Sequence, residues 1–297
     1  MFQTMQNTAK IGVTLVPDGP LMVRAQSVGI DPGIADMAFH RTHRNGRSTV
    51  FLAGSGLKGV LRAHCERVLR SSGRYACDPT QTRDNAICGR RDTREPAPNQ
   101  YPHNGQCPAC FTFGSLKLAG RFRIGDAYPA EGLEEITNRT EVRTGVGIDR
   151  KSQAAAQGVL YDMEVVVSGG FRAQISGESF ALWQLGLILA ALQDVDGGIV
   201  AIGGGKARGM GTVRLKDWSV ELGFLNQEAG RITGARPADG DGNPYRLEPG
   251  EFVQAPPDGE EEQRGLFRAL KYKGNAVPEL TSSLINGPLR RYLDRNP

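Results

Sequence analysis

Apolar residues in this chain fall into two rhythms. Residues 11–16 (IGVTLV) and 21–28 (LMVRAQSV) are strand-like runs on either side of Pro17-Asp18-Gly19-Pro20, a turn signal. Residues 29–50 lack a period and read as an irregular basic loop. From Gly56 to Arg70 the apolar positions Leu57, Val60, Leu61, Cys65, Val68 and Leu69 recur at helical spacing, the stripe of one amphipathic helix. Ser55 is placed to cap it, and Ser71-Ser72-Gly73 to end it. Residues 74–110 are polar, Pro-rich and aperiodic, an insertion that needs another source of order.

Regular patterning returns in the second half. Residues 120–128 alternate like a strand, and 141–176 read as two strands around a polar tip from about Asp149 to Gly158. Residues 178–193 form a strongly apolar helix, followed by a glycine-rich loop at 203–211 and a strand at 212–222. Strand, helix, strand, strand, helix, strand is the ferredoxin-like order of RNA-recognition domains. The expectation is an α+β chain whose first 222 residues form one such domain. Residues 223–264, rich in Gly, Pro and acids, predict a mobile stretch, and about 265–295 a last helical region. Residues 223–297 are therefore expected to form a C-terminal extension.

Composition adds little until position is considered. Net charge is only +4, and 39 glycines point to turns and close backbone approaches. Between Arg41 and Arg74 stand eight Lys or Arg residues against one acid, Glu66, which is either an RNA footprint or a solvated face. In LAGSGLKGVLRAHCERVLR (52–70) and GGGKARGMGTVRL (203–215), glycine-flanked turns carry cations and backbone N–H groups that suit phosphates. The N-terminus has no long apolar run and 180–192 is too short to span a bilayer, so a cytoplasmic protein without a membrane partner is expected.

Cysteine is the sharpest chemical signal. Cys107-Pro-Ala-Cys110 has the spacing with which two thiolates grip one tetrahedral metal, and Cys77 and Cys88 lie upstream in the same aperiodic stretch. Four cysteines complete a zinc set, with His103 able to replace Cys77, and zinc would order a coreless insertion. A redox CxxC is disfavoured because no thioredoxin-like strand precedes it. Cys65 lies on the apolar stripe of the first helix and belongs to the core. GGGKARGMG is not a Walker loop, since no Ser or Thr follows its Lys. His40 and His43 read as an acid–base pair or as surface histidines, and Asp31 and Asp36 as metal-binding or hydroxyl-positioning groups or as turn residues.

Four segments, GSGLKGVLR (54–62), CPACFTFGS (107–115), GVGIDRKSQAAAQGVLYDMEVV (145–166) and GGGKARGMGTVRL (203–215), resemble in order the RAMP superfamily of CRISPR effector proteins. More narrowly they resemble the backbone subunits of type III effector complexes, over roughly residues 11–220. The resemblance implies a modified RNA-recognition fold with a zinc-binding insertion (74–115) and a thumb hairpin (139–165). It implies a CRISPR guide RNA, a target RNA, other effector subunits and further copies of the chain as partners. Ser55, Lys58, Arg62, Lys206 and Arg208 would then hold guide phosphates. Arg150 and Lys151 would meet the backbone at the thumb tip, where Ile148 and Ala154 to Ala156 wedge between bases.

In target-cutting relatives an aspartate ahead of the GSSLKG-like motif is needed for cleavage, which uses Mg²⁺ or another divalent metal and the RNA's own 2′-hydroxyl. The matching residue here is Asp36, with Arg41 in the place of the basic residue that follows it; Asp31 is second choice because Gly29-Ile30-Asp31 stands five residues too early. A catalytically inactive, guide-binding subunit is the alternative, and a transcript-processing nuclease using His40 and His43 a third.

Overall fold

The computed structural model describes residues 5–25, 35–80, 88, 106–116, 118–225, 230–235 and 250–294. The first strand, β1 (Asn7–Pro17), buries Ala9, Ile11, Val13 and Leu15 on one face and exposes Lys10 on the other. A short hairpin follows, β2 (Arg41–Arg44) and β3 (Arg47–Val50), then helix α1 (Gly54–Ser71). Helix α2 (Pro108–Phe113) leads through β4 (Gly114–Ser115) and β5 (Leu118–Ala119) to β6 (Phe122–Ile124), β7 (Tyr128–Pro129) and α3 (Glu134–Asn138). A long hairpin, β8 (Thr140–Ile148) and β9 (Ala155–Val166), precedes β10 (Phe171–Glu178) and α4 (Leu182–Asp196). After a 3₁₀ turn at Lys206–Arg208 come β11 (Val213–Leu225), β12 (Arg231–Thr233), β13 (Phe252–Gln254), β14 (Glu260–Arg264) and β15 (Phe267–Lys273). Helix α5 (Ala276–Leu284), a π-helical turn at Ile285–Leu289 and α6 (Arg290–Asp294) end the described chain.

The main sheet runs β14-β15-β11-β1-β10-β6, antiparallel throughout, with β7 also on β10. The four strands β11-β1-β10-β6, with α1 between β1 and β6 in sequence and α4 between β10 and β11, reproduce the expected ferredoxin-like order. The fold is therefore α+β, as the patterning indicates. No helix among the described residues is long and apolar enough to cross a membrane.

Several local expectations give way to tertiary structure. The basic loop contains the β2–β3 hairpin, closed by Asn45 and Gly46 with φ of 51° and 75°, the geometry of a type I′ turn. The run at 21–28 is not a strand over its described part: Leu21 and Arg24 make only isolated bridges, to Val166 and Phe39. Helix α1 begins two residues early, so Ser55 stands inside its first turn, and Asp126 Oδ1 accepts the Gly54 amide at 2.7 Å instead. The region 141–176 yields three strands rather than two, and the hairpin tip is shorter than expected, from Asp149 to Ala154. Within the C-terminal extension, 231–233 pairs with 252–254, β14 joins the main sheet where a mobile stretch is expected, and β15 joins it where helix is expected.

The reason lies in α4. Eleven of its residues are buried, on all sides, because the sheet and α1 cover one flank while α5 and the π-helical turn cover the other. His64 Nε2 on α1 meets Asp194 Oδ2 on α4 at 2.6 Å, which fixes the two helices against each other. Asn7, wholly buried, ties β1 to both ends of this arrangement. Its Nδ2 donates to the carbonyls of Phe180 (2.9 Å) and Thr233 (3.0 Å), and its Oδ1 accepts the Phe180 amide at 2.9 Å. Asn7→Ala strands these groups in the interior, at a cost of about 2 kcal/mol. The expected result is a melting temperature about 4–8 °C lower, read by circular dichroism; an unchanged value would show that this bridge stabilises nothing.

Candidate nucleic-acid interface and metal centre

Three segments far apart in sequence meet on β9. Residues 35–40 lie along its edge: the Met37 amide donates to the Asp162 carbonyl (3.0 Å) and the Glu164 amide to the Met37 carbonyl (3.0 Å). Asp36 is exposed there, and its Oδ2 accepts the Asp162 amide at 3.0 Å. Residues 21–25 cross beside them, with Leu21 and Val166 exchanging backbone hydrogen bonds of 2.8 and 2.9 Å. The glycine-rich loop then docks on the same strand. Its Gly204 amide donates to the Met22 carbonyl (2.8 Å), and the Arg208 guanidinium donates to Tyr161 Oη and lies 5.5 Å from that ring's centroid. Met22, Met163, Val165 and Met210 form a separate apolar cluster beneath the junction, with Met37 and Tyr161 packed against it.

Glycine is required in this loop. Gly203 has φ of 79°, and a Cβ there would sit 2.1 Å from the Met22 carbonyl oxygen. Gly205 and Gly209, both left-handed, flank the 3₁₀ turn, so Lys206 and Arg208 project into solvent from a fixed frame. The Lys206 side chain has no partner among the described residues.

Glu164 anchors the base of the long hairpin. Its Oε2 accepts the Phe39 amide and Arg41 Nη1, both at 2.7 Å, and its Oε1 accepts Arg41 Nη2 at 2.6 Å and Thr140 Oγ1 at 2.5 Å. Burial disfavours its charge, but these donors outweigh burial and hold the carboxyl below its usual range. Arg41 is therefore committed to a bidentate pair and positions the segment that bears Asp36. Beyond the base the hairpin stands in solvent and exposes Val142, Val146, Ile148, Val159 and Leu160. Asp149 Oδ1 closes its tip by accepting the Lys151 and Ser152 amides at 3.1 and 2.6 Å, and leaves Arg150 and Lys151 exposed.

The four cysteines converge as the spacing indicates. Their sulfurs all lie within 4.8 Å of one another and all four residues are buried. Cys77 Sγ stands 3.5 Å from Cys110 Sγ and 3.7 Å from Cys107 Sγ. Four sulfurs about 2.3 Å from a tetrahedral centre would be about 3.8 Å apart, so the set can hold one metal ion. The Cys107 amide donates to Cys88 Sγ (3.1 Å) and the Cys77 amide to Cys107 Sγ (3.5 Å), contacts that favour thiolates. Crowding splits the four. Hydrogen bonds from Cys107 and Cys110 pull the Cys77 thiol down, one from Cys110 pulls Cys107 down, and bonding to Cys107 pushes Cys88 and Cys110 up. The set is complete without His103, which lies outside the described residues. This centre is no isolated knob: Gln184 Nε2 on α4 donates to Thr112 Oγ1 on α2 at 3.2 Å, joining it to the main core.

The residues expected to bind RNA thus divide into two groups. Lys206, Arg208, Arg150 and Lys151 project from the glycine-rich loop and the hairpin, and Ser55 is exposed at the start of α1. Lys58 is half-buried at a cleft it shares with Arg62, Phe113 and Ser115, and burial followed by the Arg62 charge lowers its pKa. Arg62 points inward at Glu66, Gly114 and Cys110, and Arg41 at Glu164, so neither is a free cation. Asp31 lies outside the described residues. His40 packs its ring 4.3 Å from that of Phe51, whereas His43 is exposed in β2. Glu164, Tyr161 and, beyond Ile148, the exposed apolar face of the hairpin were missed in the sequence, although the alternation of Val142, Val146 and Ile148 is a period-two signal.

Two outcomes test this geometry. Glu164 has a lower pKa folded than unfolded, so its stabilisation is full above about pH 4.3 and is lost as pH falls through the folded value. Glu164→Gln should lower the melting temperature at pH 7, and the difference from wild type should close on acidification below that range. A deficit independent of pH would show that the carboxylate's charge is irrelevant. For the cysteines, Cys107→Ser should abolish stoichiometric metal in purified protein, read by elemental analysis, and make the chain sensitive to proteolysis around α2; equal metal content in the two proteins would refute the site.

Residues 37–214, more than half of the chain, match the family model of the RAMP superfamily. That span begins one residue after Asp36 and contains α1, the cysteine cluster, the long hairpin and the glycine-rich loop. No curated protein matches the chain. The ferredoxin-like sheet, the motif-bearing segments gathered on β9 and this match agree: the chain belongs to the RAMP superfamily, which makes it a CRISPR-associated RNA-binding subunit.

Proposed function

We propose that this chain is a guide-RNA-binding backbone subunit of a type III CRISPR effector complex, working in the cytoplasm with other subunits and further copies of itself. The observation that carries the reading is the meeting of Asp36, the glycine-rich loop and the base of the long hairpin on β9. Lys206 and Arg208 stand ready for guide phosphates. The exposed Val146, Ile148 and Leu160 of the hairpin suit wedging between unstacked bases, with Arg150 and Lys151 reaching the backbone. Backbone grip of this kind carries no sequence code, as a subunit serving any guide requires. The cysteine cluster suits zinc, a closed tetrathiolate site whose role is to order the insertion.

The chain also cleaves guide-complementary target RNA, and Asp36 is the residue assigned to that step. A 2′-oxygen attacks the adjacent phosphorus, its proton passes to the Asp36 carboxylate, and the 5′-oxygen leaves as a hydroxyl on taking a proton from water. Among the described residues only the cysteines form a cluster of three or more metal-ligating groups. Asp36 orients the attacking hydroxyl as well as taking its proton, and Mg²⁺ or another divalent metal, which a single carboxylate and the substrate's own phosphate oxygens could hold, would neutralise the developing charge. A second reading, a guide-binding scaffold without activity, draws support from Asp36 Oδ2, which already serves as acceptor for the Asp162 amide.

The decisive measurement is cleavage of a guide-complementary RNA by the assembled complex, with Mg²⁺ or with EDTA. Asp36→Ala is expected to lower cleavage at least 100-fold while guide binding and assembly persist. Cleavage unchanged in both Asp36→Ala and Asp31→Ala would remove the catalytic assignment. An intact, guide-loaded wild-type complex that never cuts would leave the scaffold.

A further inference from the structure

Arg62, Glu66 and Arg70 follow one another at four-residue intervals on α1 and form a rail along the cysteine cluster. The Glu66 carboxylate is buried and bonded at both oxygens, to Arg62 Nε at 2.8 Å and to Arg70 Nη2 at 3.4 Å. Arg62 then reaches the cluster at one end. Its Nη1 donates to the Gly114 carbonyl at 2.7 Å and its Nη2 to Cys110 Sγ at 3.3 Å. Arg70 reaches it at the other, donating Nε to the Ala76 carbonyl at 3.0 Å and Nη2 to the Cys77 carbonyl at 3.1 Å.

The charges explain why such a rail is useful. Four thiolates around a divalent cation carry a net charge of −2, buried where it is poorly solvated. Two guanidiniums and one carboxylate supply +1 beside it. Glu66 and the Gly114 carbonyl satisfy Nε and Nη1 of Arg62, whose side chain is only 14 % exposed; Nη2 is aimed at Cys110, where a neutral thiol would be a weak acceptor and a thiolate a strong one. Glu66 keeps both arginines in one orientation, the part a carboxylate plays behind metal-bound histidines.

We propose that Arg62, Glu66 and Arg70 are the outer shell of the metal centre: Arg62 neutralises the Cys110 thiolate, Arg70 fixes the backbone at Cys77, and Glu66 positions both. The inference rests on the cysteine cluster being a metal site. It reassigns Arg62 from RNA to the metal and leaves Lys58, one turn earlier, as the cation of α1 open to a phosphate. It also joins α1 to the metal centre, because two arginines of that helix donate to groups of the cluster.

The test is zinc affinity of the full chain, measured by competition with a chromogenic chelator, with circular dichroism as the check on folding. Wild type should hold one zinc per chain. Arg62→Gln should bind zinc about 10–100-fold more weakly, and Arg62→Lys should recover part of the loss by restoring the charge without the fork. If Arg62→Gln fails to fold because Glu66 is stranded, the double variant Arg62→Gln, Glu66→Gln removes the unpaired charge and should still bind zinc weakly. Unchanged zinc affinity in a folded Arg62 variant, with or without weaker RNA binding, would overturn the outer-shell role while leaving the metal site standing. A wild-type chain that neither contains nor takes up zinc would sink the metal reading and the outer shell together.

Discussion

How residues 35–41 sit against the base of the long hairpin depends on where the Glu164 carboxylate finds its donors. It gathers the Phe39 amide, both terminal nitrogens of Arg41 and the Thr140 hydroxyl, joining residues 39–41, β8 and its own strand, which no local interaction would bring together. A half-buried carboxylate with four donors orients a loop firmly, because losing any one of them exposes a charge to an unfavourable environment. Without it the segment bearing Asp36 would be joined to β9 chiefly by the Met37 ladder.

Behind this face lies an apolar helix with no solvent side. Helix α4 fills the space between the sheet and the C-terminal helices, so the residues after the predicted domain boundary are needed to cover it. Tyr272 and Leu280 are fully buried in the same core cluster as Leu185 and Ile188. Burial on this scale contributes about 2 kcal/mol per large side chain, before entropy is deducted. The acidic run Glu260–Glu262 is thus the solvent-facing edge strand of the main sheet, where charged side chains discourage pairing with another chain.

Cation placement separates structure from recognition. Arg41, Arg62 and Arg70 all appear in the basic stripe, and all three are consumed internally, by Glu164, by Glu66 and by groups of the cysteine cluster. Lys206, Arg150 and Lys151 stand on turns in solvent, where an anion can reach them at little desolvation cost. The guanidinium's rigid fork suits such fixed, multiply bonded sites, and Arg62 carries it into the half-buried groove beside the cysteines.

The sequence by itself determined the α+β class, the order of the core strands and helices, and the cysteine set. Hydrophobic period and metal-ligand spacing are short-range properties, readable within ten or twenty residues at a time. It also held two signals that composition hid: Asn45-Gly46 inside a loop read only as basic, and the alternating apolar residues of the long hairpin. Only the tertiary structure decided which arginines are free, that Asp126 and not Ser55 meets the start of α1, and that β15 completes the sheet. Most of these depend on partners 40 or more residues away, Arg62 with Cys110 and Arg41 with Glu164 among them. A charge's role follows from its solvation and its neighbours, and neither exists until the chain has folded.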